Sequence, residues 1–108
     1  MTIRAHWNGT LVAESDRTIL VEGNHYFPPE DVAMELLESR ESSTHCTWKG
    51  DASYYSIVMD GRRNEDAAWY YAAPYSPASD IKGYVAFWSG VEVTGANAET
   101  PQIWPPES

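Results

Sequence analysis

The sequence predicts a single mainly β domain, barrel-like or a sandwich, built from short antiparallel strands with one or two short helical turns. Three observations predict it. Aromatic residues make up 13% of the chain, with five Trp and seven Tyr, and such rings favour pleated sheets. Apolar segments are short, and turn-forming residues recur between them. A length of 108 residues suits one compact domain.

The N-terminal part predicts two hairpins and a helical turn. Residues 2–7 and 10–14 flank Asn8-Gly9, a pair that tolerates the positive φ of a tight turn. The segments TILVEG and HYF predict two shorter strands with a turn at Gly23-Asn24. The following PPEDV predicts a single helical turn with acidic residues at its N-terminal end.

The middle of the chain predicts further strands. AMELLES has the composition of a helix, but it is short and alternates like a strand, so we predict a strand there. RESS is predicted to be a loop, and THCTW a strand that ends at Gly50. ASYYSIVM and RRNE predict a hairpin that turns at Asp60-Gly61, after which DAAWYYA returns as a strand.

The C-terminal part predicts one more helical turn and one more hairpin. SPASDIKG carries Ser79 as an N-cap and Gly83 just beyond the helical turn. YVAFW and VEVTG predict a hairpin around Ser89-Gly90. We therefore expect one β domain over residues 1–95 and a loosely held, Pro-rich C-terminal tail over residues 96–108.

Charge and composition exclude several classes of partner. Sixteen acidic against seven basic residues give a net charge of −9, which repels nucleic acid and anionic membrane surfaces, so neither partner is expected. The single cysteine cannot form an intrachain disulfide, and no apolar run resembles a signal peptide or a membrane span. These features favour a cytoplasmic protein.

Motifs for cofactors and metals are missing from the sequence. There is no Gly-x-Gly-x-x-Gly or Walker-type loop and no Gly-x-Ser-x-Gly elbow. One cysteine and three scattered histidines lack the spacing of a zinc site. We expect neither a cofactor nor a bound metal, and no catalytic residue is identified.

The segment THCTWKG, residues 44–50, concentrates reactive side chains. On a strand, successive side chains point to opposite faces, so His45, Thr47 and Lys49 share one face and Cys46 and Trp48 the other. His45 is therefore poorly placed to activate Cys46 as a nucleophile. Cys46 is interpreted as a small buried residue, with a reactive thiol as the alternative.

Six blocks of the sequence resemble the family of small bacterial proteins known as domain of unknown function 427. These blocks are WNG, AES, EGNHYFPPEDV, HCTWKGDASYY, DAAWYYAAP and IKGYVAF, and they span residues 5 to about 94. The resemblance implies a compact mainly β fold and a set of signature positions, including His45, Lys49 and Asp66, without an agreed activity. A nucleotidyltransferase label sometimes given to the family is unsupported, because the Gly-Ser and Asp-x-Asp pattern of polymerase-β-like enzymes is missing.

The aromatic strands and their few polar neighbours predict a cleft that binds a small polar or anionic molecule. Lys49 would supply charge and His45 a hydrogen bond that depends on pH. The expected ligand-binding residues are His45, Trp48, Lys49, Tyr54, Asp66, Trp69 and Tyr71. One alternative is a small enzyme that uses Cys46 or Asp66. Another is a protein-interaction module, or a homo-oligomer, that presents exposed aromatic side chains including Trp104.

Overall fold

The computed structural model describes residues 2–46 and 48–95. Within these residues the chain forms nine β-strands joined by turns and three short 3-10 helices. The strands are β1 (Ile3–Trp7), β2 (Thr10–Ser15), β3 (Ile19–Val21), β4 (Asn24–Tyr26), β5 (Leu37–Cys46), β6 (Gly50–Met59), β7 (Arg62–Tyr71), β8 (Val85–Phe87) and β9 (Glu92–Thr94). The 3-10 helices are Pro29–Asp31, Met34–Leu36 and Ser76–Ile81. The predicted tail, residues 96–108, lies outside the described residues.

The strands form three antiparallel sheets. The largest has the order β5-β6-β7-β8, the second β2-β1-β9, and the third is the β3-β4 hairpin. Phe27 extends β4 and exchanges two backbone hydrogen bonds of 2.8 Å with Val85, which joins the hairpin to β8. The mainly β, antiparallel prediction is confirmed. Over residues 2–46 and 48–95 the strands do not close into a barrel, so the barrel-like or sandwich arrangement is not confirmed.

Positive-φ residues turn the hairpins. The predicted turns at Asn8-Gly9 and Asp60-Gly61 are confirmed, with φ of 53° and 78° in the first and 51° and 75° in the second. The β3-β4 turn lies at Glu22-Gly23, with φ of 53° and 82°, one residue earlier than predicted. Asn24 is consequently the first, buried residue of β4 instead of a turn residue.

The prediction for residues 33–50 needs three corrections. AMELLES does not form one strand, because Met34–Leu36 is a 3-10 helix and β5 begins at Leu37. The predicted loop RESS is part of β5, where the pairing with β6 shifts between Ser39 and Ser43. An edge strand with one paired neighbour accommodates such an irregularity and a polar sequence. The strand predicted to reach Gly50 ends at Cys46.

The helical turn predicted in SPASDIKG begins earlier than predicted. Ser79 is not its N-cap, since the 3-10 helix spans Ser76–Ile81 and Tyr75 occupies that position. Gly83 lies directly after the C-cap residue Lys82 with a φ of 75°, as predicted.

The predicted C-terminal hairpin is wrong. Ser89 and Gly90 do have the positive φ values of a turn, 55° and 88°. However, β8 pairs with β7 in the largest sheet, while β9 pairs with β1 in the second sheet. The turn therefore carries the chain from one sheet to another, a long-range pairing that local turn signals do not specify.

Two hydrophobic cores lie against the largest sheet. Along β8, Val85 and Phe87 belong to one core and Ala86 belongs to the other, as alternation along a strand requires. The buried residues of the first core are Ile3, Ala5, Val12, Ala13, Phe27, Val32, Ile57, Ala67, Ala68, Val85 and Phe87. Those of the second core are Tyr26, Ala52, Trp69, Tyr71, Ala78, Ile81 and Ala86. None of the helices in the described part of the chain has the length and apolar character to cross a membrane.

Candidate functional site

A pocket of ≈ 230 Å³ opens beside the second core, and we call it the aromatic pocket. The pocket is formed by strands β4, β5, β6 and β7, by the β3-β4 and β5-β6 connections, and by the residue after β8. Its lining residues are Glu22, Asn24, Thr44, Lys49, Ala52, Tyr54, Trp69, Tyr71 and Trp88. Four aromatic rings and one ion pair thus surround a single small cavity.

Lys49 is the buried charge of the pocket. It lies in the connection between β5 and β6, and only 8% of its surface is exposed. Its ammonium donates a hydrogen bond to Oε1 of Glu22, whose side chain is 32% exposed. The Nζ atom also lies 5.3 Å from the ring centroid of Trp48 and 5.7 Å from that of Tyr71. The carboxylate and the two ring faces together offset the cost of removing this ammonium from water.

Hydrogen bonds fix the two indole rings of the wall. Nε1 of Trp69 donates to the hydroxyl of Tyr26 at 3.2 Å, and Nε1 of Trp88 donates to the backbone carbonyl of Asp66 at 2.6 Å. The two indoles meet edge to face, with centroids 6.0 Å apart and planes at 88°. Such a wall is preformed, because each ring is held by both packing and a polar contact.

Burial favours the neutral form of two tyrosines at the pocket, which are Tyr71 of the wall and Tyr26, the acceptor for Trp69. Burial raises the pKa of Tyr71 and, together with smaller effects, that of Tyr26. Both phenols therefore stay protonated at neutral pH. The hydroxyl of Tyr54 lies 2.9 Å from Oγ1 of Thr44, so the two already share a hydrogen bond.

Four of the seven predicted ligand-binding residues line this pocket, namely Lys49, Tyr54, Trp69 and Tyr71. His45 is elsewhere: its side chain is 55% exposed, and its Nδ1 lies 2.8 Å from Oδ1 of Asp51. The predicted shared face of His45 and Lys49 is therefore wrong. The cause is that β5 ends at Cys46, so strand alternation does not continue as far as Lys49.

Trp48 and Asp66 act on the pocket from outside it. Trp48 is 38% exposed and covers the ammonium of Lys49 with its ring. Asp66 lies in a bulge of β7 with a φ of 53°, and its carboxylate is 3.5 Å from Nε of Arg40. Its carbonyl, however, holds Trp88 in the wall. The predicted site residue Asp66 thus positions a pocket residue through its backbone.

Comparison with protein families shows which family this chain matches. Residues 1–97 match the family described as domain of unknown function (DUF427). This chain belongs to the DUF427 family. A search of curated proteins found no match to it. The resemblance expected from the sequence is thereby confirmed, and no activity comes with it.

Sequence reasoning missed five lining residues of this DUF427 chain, which are Glu22, Asn24, Thr44, Ala52 and Trp88. Glu22 and Asn24 flank Gly23 in a segment predicted only as a turn. The one available signal was Glu22 itself, since a glutamate directly before the glycine of a tight turn is a poor choice for positive φ. Nothing in the sequence brings that turn to Lys49.

Cys46, the predicted alternative nucleophile, is partly buried and packs against the second core of this DUF427 domain. It is not among the residues that line the aromatic pocket. Within residues 2–46 and 48–95, no group of three or more His, Cys, Asp and Glu side chains is arranged to hold a metal ion.

A second cavity of ≈ 340 Å³ lies between β1, β2 and the first 3-10 helix of the DUF427 domain. Nε of Arg4 contacts Oε2 of Glu14 at 2.6 Å, and a guanidinium nitrogen of Arg17 lies 3.2 Å from Oδ2 of Asp31. Ser15 donates to the same Asp31 oxygen at 2.6 Å and, as the largest cause, lowers the pKa of that carboxyl. These charged groups serve each other on an open surface, so the aromatic pocket is the stronger candidate site.

Proposed function

We propose that this protein binds a small polar molecule in the aromatic pocket. The observation that carries the proposal is Lys49, an ammonium that is 8% exposed at the wall of a cavity. Lysines are almost never this buried without a partner, and an apolar residue would fill the same position at lower cost. Placing a charge there is useful when the cavity receives a group that the charge can bind.

The size and walls of the pocket limit the ligand. Its volume of ≈ 230 Å³ is below the roughly 300–1,000 Å³ of sites for drug-sized ligands. The rings of Tyr54, Trp69, Tyr71 and Trp88 offer flat apolar surface around the single ion pair. A molecule the size of one amino acid or one sugar fits this description better than a nucleotide.

The test is a thermal-shift screen of the folded protein against amino acids, sugars, sugar phosphates, carboxylates and nucleotides. It is run on wild type, on Lys49→Met and on Lys82→Met, which changes the exposed second lysine of the chain. A ligand at about 100 times its Kd adds about 2.7 kcal/mol of stability, which raises the Tm of a domain of this size by several degrees.

We expect at least one compound class to stabilise wild type and Lys82→Met but not Lys49→Met. The proposal fails if no class stabilises the wild type. It also fails if Lys49→Met, shown to be folded by its own cooperative melting, responds to the same compounds as strongly as the wild type does.

A further inference from the structure

We infer that the ligand of the aromatic pocket is a zwitterion with an apolar body, that is, a free α-amino acid with an aromatic or aliphatic side chain. This inference rests on the proposed function and names its ligand class. Its basis is the pairing of Lys49 with Glu22 at the cavity, the position of Glu22 in its turn, and the ring-lined space next to both.

Glu22 occupies a position that its backbone disfavours. In the other two-residue hairpin turns the first residue is Asn8 or Asp60, types that adopt positive φ most readily after glycine. The β3-β4 turn has Glu22 there, with a φ of 53°. Asparagine at this position would relieve the strain but could not extend a carboxylate to Lys49. The long acidic side chain therefore serves the pocket and not the turn.

The charges of the pocket require a ligand that is itself balanced. An anion that binds the ammonium of Lys49 competes with Glu22 and leaves a carboxylate, 32% exposed, without its cation. A cation that binds Glu22 leaves the more deeply buried Lys49 without its anion, which costs more. A ligand with both charges gives each protein group an opposite partner, so no buried charge is left unpaired.

The rest of the lining matches the body of such a ligand. Beyond the ion pair, four aromatic rings border the cavity. The hydroxyls of Thr44 and Tyr54 are hydrogen-bonded to one another, so they offer less to a polyol than their number suggests. Apolar side chains of amino acids, in contrast, gain contact area on these rings.

The test compares L-phenylalanine with two analogues that each lack one charge, 3-phenylpropanoate and 2-phenylethylamine. L-leucine, 4-methylpentanoate and isoamylamine form the aliphatic series, and glucose is the neutral polar probe. Binding to the wild type is measured by titration calorimetry and by the fluorescence of the tryptophans. We expect at least one of the two amino acids to bind at least about tenfold more tightly than both of its single-charge analogues.

Glu22→Gln supplies a readout that a merely structural role would not move. It frees Lys49 for an anion. The ratio of the affinity for the amino acid to the affinity for its carboxylate analogue should therefore fall to about one or below. Arg4 pairs with Glu14 away from the pocket, so Glu14→Gln is the matched control and should retain the wild-type preference. The wild-type series stands by itself if Glu22→Gln does not fold.

The outcomes separate the inference from the proposed function. If neither amino acid binds at least about tenfold more tightly than both of its single-charge analogues, or if only glucose binds, the zwitterion inference is wrong, while the Lys49→Met screen still decides the proposed function. Failure of both amino acids to bind also overturns the inference. The proposed function is overturned only by its own thermal-shift screen, either because no class stabilises the wild type or because folded Lys49→Met responds as strongly as the wild type.

Discussion

The two cores on the faces of the largest sheet differ in the polarity of their buried side chains. The buried residues of the first core are aliphatic side chains and two phenylalanines, with the Phe27 and Phe87 rings meeting edge to face at 5.6 Å. The second core contains Tyr26, Trp69 and Tyr71, whose rings carry polar atoms. Lys49 and Asn24 are buried next to it at the aromatic pocket.

This difference separates residues that stabilise the fold by apolar contact alone from residues whose polar groups each need a partner. An apolar core is stabilised by shape and buried area alone, and it tolerates exchange between apolar residues. Each buried hydroxyl, indole N–H and ammonium, in contrast, needs its own hydrogen-bond or charge partner. Covering this face of the sheet therefore carries a desolvation cost for polar groups that the first core does not have. This cost is consistent with a site on that face.

The largest expected effect is the loss of a ring from the first core. Phe27 is fully buried, so Phe27→Ala removes buried area and leaves a cavity against Phe87. We expect the free energy of unfolding to fall by about 3–5 kcal/mol, measured by urea denaturation. Leu20→Ala is the control, because Leu20 is 56% exposed and its loss should cost no more than about 0.5 kcal/mol. Equal effects of the two variants would contradict this assignment of the core.

A smaller effect is expected when a single polar atom is removed from the second core. Tyr26→Phe keeps the ring but deletes the acceptor for Nε1 of Trp69. The free energy of unfolding should fall by about 1 kcal/mol, because a buried hydrogen bond is lost while the packing stays. Tyr75→Phe, at an exposed tyrosine, is the matched control and should be close to neutral. A neutral Tyr26→Phe would mean that the second core behaves like the first.

Local signals predicted the parts of the fold that local chemistry decides. Asn8-Gly9 and Asp60-Gly61 specify hairpins because their own backbones adopt the required φ. The pairing of β9 with β1 was missed because it joins residues far apart in the chain, and no turn residue encodes it. The strand over RESS was missed because an irregular edge strand has the composition of a loop.

The same distinction applies to the candidate site. Lys49, Tyr54, Trp69 and Tyr71 come from adjacent strands and their connection, so sequence patterns could group them. Glu22 reaches the pocket from a separate hairpin, and only tertiary structure brings it to Lys49. His45 was included because alternation was extended past the end of a strand. What the sequence could not supply was the partner of the buried Lys49.

The smallest expected effect concerns His25 in the hairpin that covers the second core. Burial lowers the pKa of His25 below 6.5, and its Nδ1 lies 3.0 Å from Oγ1 of Thr18. Because the unfolded chain takes up a proton on this histidine at higher pH than the folded protein, the associated stability is present above pH 6.5 and is lost as the pH falls toward the lower folded pKa. Unfolding by urea between about pH 7 and pH 5 should therefore show a decrease that is smaller in His25→Asn. Thr18→Val retains the histidine and its burial, so it should keep the wild-type pH dependence even if its overall stability is lower. An identical pH dependence in wild type and His25→Asn would contradict this prediction. It would show that burial of His25 in the β3-β4 hairpin does not disfavour the protonated form of its ring.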